Sequence, residues 1–109
     1  MINRIREVLG YTTKRFKRDF NNNITIEKLE EMKNDGSIIV DVRSPQEFGE
    51  GHIAGAILIP EYELKNRAKN ELPDLEKQII VYCGTGHRSR RAQKILEKMG
   101  YKQVYNLCK

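Results

Sequence analysis

Apolar residues fall along this chain in short runs rather than in even alternation. Ile38 to Val42, Ala56 to Ile59, Ile79 to Tyr82 and Val104 to Leu107 are the clearest, and β-branched residues dominate the first and third. Runs of this length without a polar residue at every second position suit strands covered on both faces. Between them the period changes to that of a helix. Ala92, Ile95, Leu96 and Met99 recur at i, i+3, i+4 and i+7, and Gly100 stands where a helix would stop. Thr25 predicts an N-cap for a short helix from Ile26 to about Asn34, closed by Gly36. Ser44-Pro45-Gln46-Glu47 has the form of a capping box with proline at the first helical position, and Gly49 and Gly51 keep that helix short. Glu61 to about Asn70 reads as a helix with Leu64 and Ala68 inward, ended before Pro73.

Strands and helices therefore alternate. Alternation implies crossover connections, hence a mostly parallel sheet of four to five strands with helices on both faces, an α/β fold in three layers. In such sheets ligands sit beyond the carboxyl ends of the strands. Cys83 follows directly on the run Ile79 to Tyr82, so it is expected at such an end.

The first twenty residues differ in character. Ile2, Ile5, Val8 and Leu9 fall at helical spacing among Arg4, Arg6, Lys14, Arg15, Lys17 and Arg18, and Gly10 interrupts the face. The expectation is a basic amphipathic extension over residues 1–23, packed on its own domain, with Asn21 to Asn23 as a linker, followed by one folded unit over residues 24–109.

Length and charge narrow the function classes. A chain of 109 residues fits a single domain with a modest core. No run approaches the ~20 apolar residues of a membrane span. Arg4, Arg6 and Glu7 break any secretory apolar stretch, so a cytoplasmic protein is expected, without a membrane partner. Cys83 and Cys108 make no disulfide framework, and both are expected as free thiols in a reducing compartment. The net charge is +5 and uneven, with a second basic cluster at Arg88, Arg90, Arg91 and Lys94. That favours anions or an acidic partner. Nucleic acid is not expected, since there is no zinc-finger spacing and no basic groove studded with aromatics.

The loop Cys83-Gly84-Thr85-Gly86-His87-Arg88 carries the chemistry. Between a strand and a helix it can curl so that backbone N–H groups converge, with Gly84 and Gly86 supplying left-handed conformations. The helix expected near Ser89 adds its positive end. His87, Arg88, Arg90 and Arg91 are expected to strengthen the field. A cysteine held there should be a thiolate at neutral pH, facing an anionic substrate. No cofactor or metal is called for.

Two segments resemble a known family. Val40 to Pro60, VDVRSPQEFGEGHIAGAILIP, is similar to the first signature of the rhodanese sulfurtransferases, and Ile79 to Tyr101, IIVYCGTGHRSRRAQKILEKMGY, to their active-site signature. VYNL, Val104 to Leu107, resembles the strand that follows, so the likeness covers roughly residues 24 to 107. It implies a rhodanese-like fold and a persulfide mechanism. Cys83 would take the outer sulfur of an anionic donor such as thiosulfate and pass it to cyanide, a small thiol or a protein cysteine. Gly84, Thr85, Gly86, His87 and Arg88 would bind the donor, with Arg88 orienting it or bracing the loop. Asp41 and Arg43 would brace the neighbouring loops, and His52 would sit in a structural turn. Related phosphatases and arsenate reductases carry one more residue between cysteine and arginine. Here Ser89 holds that position, which favours sulfur transfer.

The likeness leaves alternatives open: a non-catalytic binding module, or a dedicated relay that receives persulfide from a partner protein, as monomer or homodimer. Cys108 is a candidate to resolve the persulfide. Family members continue after VYNL with a closing helix. The unit over residues 24–109 is expected to lack it, with the N-terminal extension or a second copy covering that face.

Overall fold

The computed structural model describes residues 22–108. The expected basic helix of residues 1–20 lies outside them.

Five strands form one sheet: β1 (Asn23–Ile24), β2 (Ile38–Asp41), β3 (Ile57–Leu58), β4 (Gln78–Tyr82) and β5 (Gln103–Leu107). Their spatial order is β1-β5-β4-β2-β3, and every neighbouring pair is parallel. Four α-helices connect them: α1 (Ile26–Asn34), α2 (Pro45–Gly49), α3 (Leu64–Glu71) and α4 (His87–Lys98), with a 3-10 turn at Glu61–Glu63 leading into α3.

The two faces of the sheet bury different helices. Val40, Ile79, Val81 and Val104 pack with Leu64, Ala68 and Leu72 of the α3 region and Ala92 and Leu96 of α4. Ile39, Ile80, Tyr82 and Leu107 pack with Leu29 and Met32 of α1. Successive strand residues point to opposite faces, so both layers are needed to cover unbroken apolar runs. A fully buried leucine such as Leu29, Leu64 or Leu96 contributes on the order of 2 kcal/mol.

Local signals set most element ends. Thr25 Oγ1 accepts the Lys28 N–H at 3.1 Å, and Gly36 closes α1 at φ +90°. Ser44 and Glu47 form the complete reciprocal cap of α2. The Tyr101 hydroxyl donates to the carbonyls of Ala68 and Leu72, satisfying the end of α3.

One expectation needs correction. Asn21 to Asn23 is not wholly a linker, because Asn23 begins an edge strand. Asn106 N–H donates to Asn22 O at 3.0 Å and Cys108 N–H to Ile24 O at 2.9 Å, so the free edge of β5 recruits a segment that has no strand signature of its own. The inward stripe of α4 is Ser89, Ala92, Gln93 and Leu96, with Ile95 and Met99 only partly buried. Two polar residues face the sheet there, one toward the sulfur of Cys83 and one donating to Val104 O at 3.1 Å.

Candidate active site

Cys83 is the residue after β4, on the same sheet face as Ile79 and Val81, and only 3% exposed. The chain then turns through Gly84, Thr85 and Gly86 into α4. Gly86 is the N-cap residue, at φ +95°, and has no side chain to cap the helix. The sulfur takes that role. Sγ accepts the Gly86 N–H at 3.1 Å and the Ser89 N–H at 3.3 Å, and Ser89 Oγ lies 3.4 Å away. Backbone donors left unpaired at a helix start thus converge on one sulfur atom, where the helix dipole also favours negative charge.

Burial is the largest influence on the Cys83 thiol and pushes its pKa up. The Ser89 hydroxyl and the N–H groups of Ser89, Gly86 and Arg88 outweigh it and hold the thiol below its ordinary value. The expectation of left-handed backbone at both loop glycines holds only for Gly86; Gly84 has no positive φ.

The remaining loop residues divide. Gly84 and Thr85 wall a cavity of about 100 Å³ together with Cys83, Gly86, Leu107 and Cys108. Thr85 Oγ1 accepts the His87 N–H at 3.4 Å, and the His87 side chain is exposed outside that cavity. The Arg88 guanidinium is committed to Glu47 at 2.7 and 3.0 Å, so it braces the loop against α2. Arg91 pairs with Glu61, and Arg90 donates to Asn23 Oδ1 at 2.8 Å. Arg88 and Arg91 are therefore paired with carboxylates while Arg90 meets a neutral amide, and the groups in direct contact with the sulfur are the Ser89 hydroxyl and the backbone N–H groups.

Asp41 and Arg43 stand one strand away, where the sequence led one to expect a brace. Asp41 is fully buried at the end of β2. Its carboxylate accepts from Arg43 Nε at 3.0 Å, Arg43 Nη2 at 2.8 Å and the Arg43 N–H at 2.9 Å. The Tyr82 hydroxyl donates to Asp41 Oδ2 at 2.7 Å and accepts the Ile53 N–H at 3.0 Å. Burial pushes the Asp41 carboxyl up, and the hydrogen bonds from Arg43 and Tyr82 outweigh it, leaving the group below its ordinary value. Arg43 Nη2 also donates to Gly51 O at 2.6 Å, so one network ties β2, β4 and the loop after α2. His52 stacks on Phe48, ring centroids 3.6 Å apart, with Nδ1 2.8 Å from Phe48 O; it stays in its turn.

Ser89, Tyr82 and Glu47 complete the site. The sequence marked Glu47 only as a cap, Ser89 as a helix start and by its offset from the cysteine, and Tyr82 only as the end of an apolar run. Beside the small cavity runs a groove of about 640 Å³, lined by Ile26, Ile53, Tyr82 and Leu107 with Arg43, His52 and Cys108. Among the described residues no helix is long and apolar enough to cross a membrane.

Compared with known families, residues 25–108 match the rhodanese-like domain. The thiosulfate sulfurtransferase PspE of Escherichia coli K12 is 42% identical over 67 residues, 62% of this chain and 64% of that protein. The chain thus spans under two thirds of that relative's length. The thiosulfate sulfurtransferase GlpE of Stutzerimonas stutzeri is 36% identical over 81 residues, covering 74% of this chain and 72% of that one. A solved structure of a rhodanese with anions from E. coli superposes with a TM-score of 0.63 at 39% identity, over 65% of this chain and 84% of its own.

Proposed function

The chain belongs to the rhodanese-like domain family, and from that premise we propose that it is a sulfurtransferase with Cys83 as its sulfur carrier. The observation that carries the reading is the pair of N–H groups, from Gly86 and Ser89, 3.1 and 3.3 Å from Sγ.

The Cys83 thiolate attacks the outer sulfur of thiosulfate. The donor's S–S bond breaks, and sulfite leaves with the electron pair. The outer sulfur remains on Cys83 as a persulfide. Cyanide, a small thiol or a protein cysteine then attacks that sulfur, and Cys83 departs as the thiolate. This is covalent catalysis by an activated nucleophile. The N–H groups of Gly86, Arg88 and Ser89 stabilise the thiolate at both ends of the cycle. Gly84 and Thr85 form the wall the donor meets. Arg88 fixes the loop through Glu47, Asp41 and Arg43 fix the adjoining one, and His87 stands at the rim.

In this reading residues 24–109 are the sulfur-transfer unit and residues 1–23 a basic extension to it. A reducing compartment such as the cytoplasm suits the two free thiols.

Thiosulfate and cyanide supplied together should yield thiocyanate and sulfite. Thiosulfate alone should leave Cys83 heavier by one sulfur atom. Cys83→Ser should fold and lose both. Turnover persisting in that variant overturns the assignment.

A further inference from the structure

The strand register brings the two cysteines together. In the β4–β5 ladder Ile79 lies opposite Val104 and Val81 opposite Asn106. The same offset carried two residues past the last pair sets Cys83 opposite Cys108. The β4–β5 ladder itself ends at Val81 and Asn106, and beyond it β5 keeps its line by pairing with β1, the Cys108 N–H donating to Ile24 O at 2.9 Å. Neighbouring strands run about 4.8 Å apart, and residues at one register point to the same face. Consistent with that, both cysteines line the cavity of about 100 Å³ at the sulfur loop. Their exposure differs: Cys83 is buried and Cys108 is exposed. Cys108 also lines the larger apolar groove next door.

We propose that Cys108 is a second sulfur station, which takes the outer sulfur from Cys83 and presents it at the surface to acceptors too large for the cavity. The proposal rests on the persulfide reading above and adds an intramolecular step to it. The Cys108 thiolate, its proton given up to solvent, attacks the outer sulfur of the Cys83 persulfide. A bond forms between Cys108 Sγ and that sulfur, and the bond from Cys83 Sγ to it breaks. The electron pair leaves on Cys83 Sγ, which becomes the thiolate, while the transferred sulfur keeps its own proton on Cys108. One S–S bond is exchanged for another, so no oxidant or reductant is consumed. The leaving group is the sulfur that the Gly86 and Ser89 N–H groups already hold. Thiol–persulfide exchange is faster the better the departing thiolate is stabilised.

The test loads the intact protein with thiosulfate, and separately with inorganic polysulfide, at several protein concentrations. The persulfides are trapped by alkylation and located by peptide mass. Sulfur on both the Cys83 and the Cys108 peptides, in a ratio independent of protein concentration, is expected. Sulfur on Cys83 alone overturns the relay and leaves the sulfurtransferase reading standing. Sulfur on neither cysteine from either donor overturns both. A second measurement compares cyanide with a thiol-terminated polyethylene glycol as acceptors. In Cys108→Ser the polymer-to-cyanide rate ratio should fall about tenfold, as expected when one acceptor loses its nearer thiol. An unchanged ratio overturns the relay.

Discussion

The Arg88 guanidinium grips the Glu47 carboxylate with both prongs, Nη1 to Oε1 at 2.7 Å and Nη2 to Oε2 at 3.0 Å. Glu47 is also the residue whose side chain caps α2 from within, accepting the Ser44 N–H at 3.1 Å. One carboxylate therefore starts a helix and anchors the arginine of the sulfur loop.

That double use predicts an acid-sensitive anchor. The hydrogen bonds from Arg88, then that from the Ser44 N–H, hold the Glu47 carboxyl at about 2 against an ordinary 4.5. A group whose folded pKa is depressed stabilises the fold above its unfolded pKa. It loses that contribution as pH falls toward the folded value. Glu47→Gln should therefore melt below the parent at neutral pH, and the gap should close between about pH 4.5 and about pH 2. Thermal melts of both proteins across that range check it; parallel curves refute the anchor.

The sulfur's activation should depend on Ser89. Burial opposes the thiolate, and the Ser89 hydroxyl is the foremost group offsetting it. Ser89→Ala keeps the backbone N–H and removes the hydroxyl, so the pH midpoint for alkylation of Cys83 should rise. The rate of iodoacetamide reaction followed against pH reads this directly. A midpoint equal to the parent's would leave the backbone N–H groups as the whole cause.

The two loop glycines should respond differently to alanine. Gly86 sits at φ +95°, where an L side chain is strained by about 1–2 kcal/mol. Gly84 has ordinary backbone, and an added Cβ would only touch Arg88 Nη2 at 3.9 Å. Gly86→Ala should lower stability by about that strain and slow sulfur transfer, because the Gly86 N–H must shift from Sγ. Gly84→Ala should stay within about 0.5 kcal/mol of the parent. Denaturant melts with matched turnover assays separate them, and equal losses would contradict the geometry.

Tyr82→Phe removes a hydroxyl that joins Asp41 to the Ile53 N–H. Both partners lose a hydrogen bond, and a stranded buried polar group costs about 1–3 kcal/mol. The expected result is a loss of that size in denaturant unfolding, with the Cys83 alkylation midpoint unmoved, since no bond to Sγ is touched. A shifted midpoint would show that the network reaches the sulfur.

What the sequence by itself determined is whatever neighbours in the chain decide. Thr25 caps α1, Ser44 and Glu47 cap α2, and Gly86 admits the turn into α4, because each bond spans only a few residues. Unbroken apolar runs such as Ile79 to Tyr82 required cover on two faces, and that fixed the layered architecture. The cysteine at a strand end before a glycine turn marked the candidate site for the same local reason. The tertiary structure decided the partners. Glu47 meets Arg88 and Asp41 meets Tyr82, each across 41 residues, only because β2 and β4 lie side by side in register. Asn23 becomes a strand only because β5 offers it an open edge. Ser89 and Gln93 turn inward because the sheet beneath α4 presents a sulfur and a carbonyl to be satisfied. Cys108 shares a cavity with Cys83 because β4 and β5 run side by side in register up to Val81 and Asn106, two residues before each cysteine. No periodicity within a single element encodes that distance.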